Sequence, residues 1–240
     1  SGRSAMSSAV EDSAEHVCQN AQSPALRTDA VLLDFFNTLA VRRSIDQWIA
    51  DAEDRTGLVD IGTRAEVSTR LPGVWSEARM MFPDADWDLD PASHRDVFLA
   101  VVGRSGAVPP QFAAALYDVM PKQVALNAGA AEFVHAANRH GVKLAVVSNT
   151  ALDIRPVLRE WQLLCLFDVV TLSFEAGCVK PNPRIFNLTA DALRVDPARC
   201  LMIGDSAAED GGAIAAGMQC IVSEPSEMWR VFERVADRLS

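Results

Sequence analysis

Four stretches of this sequence set groups capable of polar chemistry at the end of an apolar run, or just beyond it. Asp34 closes Ala30 to Leu33, Ser148-Asn149 closes Lys143 to Val147, and Asp205 follows Leu201 to Ile203 through Gly204. Lys180 stands in the loop after another run, Val169 to Leu172. A carboxylate can attack an electrophilic centre or ligate a hard cation. A hydroxyl, an amide and an ammonium can hold the oxygens of an anion and stabilise charge developing there. Singly, each residue has a bland reading: Asp34 and Thr38 as turn residues, Asn149 as a cap, Asp210 as a helix start, Lys180 as a solvated loop lysine. A shared place at converging strand ends favours a site over that reading.

The elements that must position these groups follow from periodicity. The apolar runs, with Cys220 to Val222 as a fifth, are short and apolar on both faces, as strands covered by helices on each side must be. Helical spacing separates them: Phe133, Val134 and Ala137 up to Gly141, then Phe186, Ala190 and Leu193 after Asn182-Pro183, then Met228, Phe232, Val235 and Leu239. This alternation predicts an α/β fold with a doubly wound parallel sheet, whose ligands bind beyond the carboxyl ends of the strands. Between about Ser44 and Met120 the alternation fails. That interval holds Trp48, Trp75 and Trp87, shows helical but not strand periodicity, and reads as a helical insertion after the first strand. The expected organisation is a disordered segment or cloning scar at 1–23, an α/β core at 24–43 and 121–240, and a helical cap at 44–120.

The run V-L-L-D-F-F-N-T-L around Asp34 and Thr38, S-N-T at Ser148, K-P-N-P at Lys180 and I-G-D-S-A-A-E-D around Asp205 and Asp210 resemble, in order, the four motifs of the haloacid dehalogenase superfamily. The resemblance covers about Ala30 to Val222. It implies a Rossmann-like core and hydrolysis of a phosphorylated small molecule through a covalent intermediate on Asp34. Thr38, Ser148, Asn149 and Lys180 would complete the catalytic set. Mg²⁺ would be held by Asp34, the Phe36 backbone carbonyl, Asp205 and Asp210, with Asp210 a ligand or a support for Lys180.

One position departs from that pattern. Phosphatases of the superfamily carry a second Asp two residues after the nucleophile, as acid and then base; here that residue is Phe36, which keeps the carbonyl but moves no proton. Three consequences are open: a leaving group that needs no proton, an acid from the cap such as His94 or Asp46, or loss of turnover. Aromatic Phe36 also resembles the metal-independent 2-haloacid dehalogenases, which typically lack the Gly-Asp of the fourth motif. The alternatives are therefore dehalogenation, or a non-catalytic protein that binds a phosphoryl ligand. Phosphonate hydrolases of the family use a cap lysine, and residues 44–120 contain none. Arg42, Arg43 and His94 are the candidates to meet the substrate.

Composition narrows the partners. The 240 residues carry a net charge of −10, which disfavours binding to nucleic acid or an anionic membrane through bulk charge. No apolar run is long enough to span a bilayer. Five cysteines, an odd number with no C-x-x-C pair, argue for a reducing cytoplasm. The expected partner is a small anionic substrate, and the expected assembly a monomer or homodimer.

Overall fold

The computed structural model describes residues 28–58 and 60–239; the segment 1–23 and its Cys18 lie outside them. The chain runs β1 (Ala30–Leu33), β2 (Ala40–Arg42), α1 (Ile45–Thr56), α2 (Ile61–Arg70), α3 (Val74–Met81), α4 (Pro91–Gly103), α5 (Pro110–Val119) and β3 (Val124–Leu126). It continues through α6 (Ala130–Arg139), β4 (Lys143–Ser148), α7 (Arg155–Glu160), β5 (Val169–Leu172), α8 (Ser173–Ala176), α9 (Pro183–Leu193), β6 (Cys200–Gly204), β7 (Gln219–Val222) and α10 (Met228–Leu239).

Five parallel strands form one sheet in the order β5-β4-β1-β6-β7. Side chains alternate across it, as the two-residue period of a strand demands. Val31 and Leu33 of β1, Leu144 and Val146 of β4, and Leu201 and Ile203 of β6 face a core built with α6, α7 and α10. Ala30 and Leu32, Ala145 and Val147, and Cys200 and Met202 face the opposite core, built with α9. Both faces are covered, which explains why the strands read as continuous apolar runs. The strand order reverses direction at β1, so the crevice beyond its carboxyl end lies at the switch point of the sheet.

Helices α1–α5 pack around their own core of Trp48, Ile49, Phe98 and Leu116. The Ser44 side chain caps α1 by accepting from the Gln47 amide, and Gly57, at φ 68°, ends it. The insertion joins the sheet domain through a two-stranded antiparallel ribbon, with Ala40 opposite Leu126 and Arg42 opposite Val124. This ribbon was not legible in the sequence, because each strand has three residues and its partner lies some eighty positions away. None of the helices among the described residues is long and apolar enough to cross a membrane.

Candidate active site

Asp34 leaves β1 with its amide donating to the Ile203 carbonyl at 2.9 Å, so its side chain is launched between β4 and β6. The chain then folds back tightly. Asn37 donates its amide to the Ala40 carbonyl at 2.7 Å and Ala40 donates to Phe35 at 2.8 Å. Asn37 takes a left-handed backbone (φ 60°), which asparagine tolerates better than most side chains. Its amide group donates to Asp205 Oδ2 at 3.0 Å and ties the loop after β1 to the loop after β6.

Lys180 reaches the centre from the loop preceding α9. Its ammonium lies 2.6 Å from both Asp34 Oδ1 and Asp210 Oδ1, and the residue is only 3% exposed. The loop is held by Asn149, whose side chain accepts from the Lys180 amide at 2.7 Å and donates to the Lys180 carbonyl at 3.0 Å. Asn149 thus acts on the position of Lys180 and has little capacity left for a ligand. Asp210 is fully buried. Its second oxygen accepts from the Ser206 amide at 3.0 Å, so both oxygens are engaged. Gly204 permits this packing, since a β-carbon there would overlap the Asp210 carboxylate.

Asp34, Asp205 and Asp210 each offer a carboxylate oxygen within 4.8 Å of the others. Three carboxylates against one ammonium leave two uncompensated negative charges, the charge that a divalent cation carries. Among the described residues no other residue donates to Asp34 Oδ2 or Asp205 Oδ1, and no hydrogen bond claims the Phe36 carbonyl. The residues therefore fit a hard cation bound by oxygen. Burial pushes the Asp34 carboxyl up to about 7; Lys180 opposes that rise, while Asp210 and Asp205 add to it. Burial also raises Asp205, against the hydrogen bond from Asn37. On Lys180 burial acts downwards, but Asp34 and Asp210 outweigh it and hold the ammonium charged above the usual lysine range.

Two hydroxyls at this end of the sheet, Thr38 Oγ1 and Ser148 Oγ, are buried without a partner among the described residues. A buried polar atom left unpaired costs about 1–3 kcal/mol, and an anion's oxygens would satisfy both.

A cavity of about 340 Å³ opens beside this centre between the insertion and the sheet domain. Phe35, Phe36, Asn37, Asn149 and Glu209 line its floor, and Trp48, Trp75, Trp87 and His94 its roof. Arg42 and Arg79 also face it, and neither makes an ion pair among the described residues. Arg43 is not brought to the cavity; its Nε donates to the Val124 carbonyl at 3.1 Å and its head is exposed. Asp46 is remote too, paired with Arg64 on the surface. His94 lies at the cavity with Nδ1 2.8 Å from the Tyr117 hydroxyl. Burial pushes His94 down to about 4, so the imidazole beside that hydroxyl is neutral. Two cavity carboxyls, Asp88 and Glu209, did not stand out in the sequence. Cys178, in the loop before Lys180, is buried.

Residues 28–217 match the family model of the haloacid dehalogenase-like hydrolases. The haloacid dehalogenase-like hydrolase domain-containing protein 3 of Bos taurus is 41% identical over 91 residues, 38% of this chain and 36% of that protein. A phosphatase of Mycobacterium tuberculosis is 36% identical over 96 residues, 39% of this chain and 44% of that protein. These alignments span less than half the length of either relative. Among solved structures, a Bacillus subtilis HAD hydrolase bound to magnesium aligns with a TM-score of 0.61 at 18% identity, over 86% of this chain and 99% of that one. The L-2-haloacid dehalogenase of Xanthobacter autotrophicus aligns with a TM-score of 0.59 at 21% identity, over 89% and 84%. At such identities the structures speak for the fold, while the family model covers most of the sequence and all four strand-end segments. The chain belongs to the haloacid dehalogenase-like hydrolase family.

Proposed function

We propose that the protein is a magnesium-dependent phosphatase that cleaves a phosphorylated small molecule through an aspartyl-phosphate on Asp34. The observation that carries this reading is the pairing of a buried, charged Lys180 with Asp34 and Asp210 beside two unpartnered buried hydroxyls. Asp34 Oδ2 would attack phosphorus. Lys180, Ser148 and Thr38 would hold the phosphoryl oxygens, and Asn149 and Asp210 would keep Lys180 in place. Asp34, Asp205 and the Phe36 carbonyl would hold Mg²⁺ directly. When bound, the ion offsets repulsion between the nucleophile and the incoming anion. The phosphatase relative supports the same reaction class.

In this reading residues 44–120 are the cap over a core of 24–43 and 121–240. The cavity roof holds the organic part of the substrate, with Arg42 and Arg79 for a further anionic group. The free thiols Cys165, Cys178 and Cys200 suit a reducing cytoplasm.

The test is phosphate release from a panel of phosphate esters and acyl phosphates, with Mg²⁺ and with chelator. Turnover that needs the ion and vanishes in Asp34→Asn is the expected result. Phe36 favours one second reading, dehalogenation of a 2-halo acid, since a halide leaves without a proton. Halide release that persists in chelator would replace the first reading. The carboxylates of Asp205 and Asp210 weigh against it, because without a cation they leave like charges beside Asp34.

A further inference from the structure

An alkyl phosphate needs an acid at its leaving oxygen, and position 36 cannot serve. The Phe36 ring lines the cavity and packs edge-on against Phe35, with centroids 5.0 Å apart. Three side chains on the cavity wall have the chemistry to carry a proton near neutrality: His94, Glu209 and Asp88. His94 is spent on Tyr117 and sits against Trp75, with ring centroids 4.4 Å apart. Glu209 accepts from the Asn149 side chain at 3.3 Å and belongs to the framework that fixes Lys180.

Asp88 differs from both. It lies in a short 3-10 turn of the insertion, Trp87–Leu89, half-buried, and its carboxyl makes no hydrogen bond among the described residues. Its backbone, by contrast, is fixed to the sheet domain. Ser173 Oγ, buried at the start of α8, lies 2.7 Å from the Asp88 carbonyl and accepts from the Thr150 amide at 2.9 Å. Thr150 follows directly on Ser148 and Asn149. One serine therefore fixes the backbone of this acid-bearing turn to the strand end beside the nucleophile.

We propose that Asp88 is the proton carrier of the reaction, delivered by the insertion in place of the carboxyl missing at position 36. The inference rests on the phosphatase reading. In the first half-reaction the Asp34 Oδ–P bond forms and the P–O bond to the leaving group breaks; the leaving oxygen takes the Asp88 proton. In the second, Asp88 takes a proton from water, the water oxygen bonds to phosphorus, the Asp34 Oδ–P bond breaks, and inorganic phosphate departs with both carboxyls restored.

The charges around Asp88 suit the task. Glu209 and Lys180 face it from the sheet-domain loops, Arg79 from α3 and Asp86 from its own turn. His94 on α4 is neutral, and Glu175 on α8 is paired with Arg155. Burial, then the neighbouring Glu209, push the Asp88 carboxyl up to about 6, against Arg79. A group poised there can both give and regain a proton.

The experiment compares kcat/KM for an alkyl phosphate, glycerol phosphate, with that for acetyl phosphate, whose leaving group needs no proton. Asp88→Asn should lower the alkyl value by about 10²–10⁴-fold and leave the acetyl value within about tenfold. With acetyl phosphate it should release a burst of about one equivalent and then stall, because the second half-reaction lacks its base. Asp88→Glu should recover part of the alkyl activity, and melting curves of both variants should match the wild type.

Equal losses on both substrates, or no loss on either, overturn Asp88. So does a selective loss in Glu209→Gln in place of Asp88→Asn, or a wild type that cleaves acetyl phosphate and never the alkyl ester. A wild type inert on both substrates sinks the phosphatase reading, and the Asp88 assignment with it.

Discussion

Gly204 ends β6 directly beneath Asp210, so closely that a β-carbon on the glycine would occupy the space of the Asp210 carboxylate. Asp210 in turn holds the ammonium of Lys180. The absence of one methyl group at a strand end therefore helps set the position of the central cation.

Gly204→Ala should push Asp210 away and misplace Lys180. Forcing a methyl group into packed surroundings costs about 1–3 kcal/mol. For a chain of this size that is a fall in Tm of about 2–12 °C. Phosphatase activity should fall by more than the stability loss explains. A variant with unchanged Tm and turnover would contradict the packing described.

Lys180→Met should be far more damaging than a surface substitution. It strands the Asp34 and Asp210 carboxyls in a buried site. Breaking a buried pair by removing one partner typically costs about 3–5 kcal/mol. Urea unfolding at neutral pH should show a loss of that size. Lowering the pH should narrow the gap, as the stranded carboxyls take up protons.

On the proposed reading magnesium binds the native carboxylate cluster and not the unfolded chain, so it should stabilise the folded chain. At a hundredfold excess over Kd the gain is about 2.7 kcal/mol. Thermal melts with and without Mg²⁺ should differ for the wild type and coincide for Asp205→Asn. An equal shift in both proteins would show that the ion binds elsewhere.

Stability should fall on mild acidification because of His94. Its pKa is 6.5 when unfolded and about 4 when folded, so the unfolded chain takes up the proton first. The contribution is fully present above the unfolded value and is lost as the pH falls from there towards the folded one. Between about pH 7 and pH 5 the loss is about 2 kcal/mol. Unfolding free energies of the wild type and His94→Gln at the two pH values isolate it. Identical pH dependence in both would exclude a neutral buried imidazole.

The sheet was readable because burial on both faces leaves a plain mark: Ala30 to Leu33 and Leu144 to Val147 carry no solvent-facing residue to interrupt the run. The groups at those strand ends were readable because topology alone brings them together. Asp34, Lys180 and Asp210 lie far apart in the chain and meet within hydrogen-bond reach. Asp88 and Glu209 were not readable. Each is one acid among many in a loop, and what singles them out is a shared cavity between two parts of the chain. Arg43 shows the converse. It is adjacent to Arg42, but along a strand successive side chains point opposite ways, so only Arg42 faces the cavity. His94 was weighed as an acid on residue type; burial lowers its pKa and removes the proton it would have needed.

The ribbon of β2 and β3 brings the entry and exit of the helical insertion to one spot, with Arg42 directly opposite Val124. Paired strands stand about 5 Å apart, so whatever is spliced between them meets the sheet domain at the same doorway regardless of its length. A module mounted this way is interchangeable. A different set of helices could be grafted onto the same two strands, altering the chamber above Asp34 while the aspartates beneath keep their places.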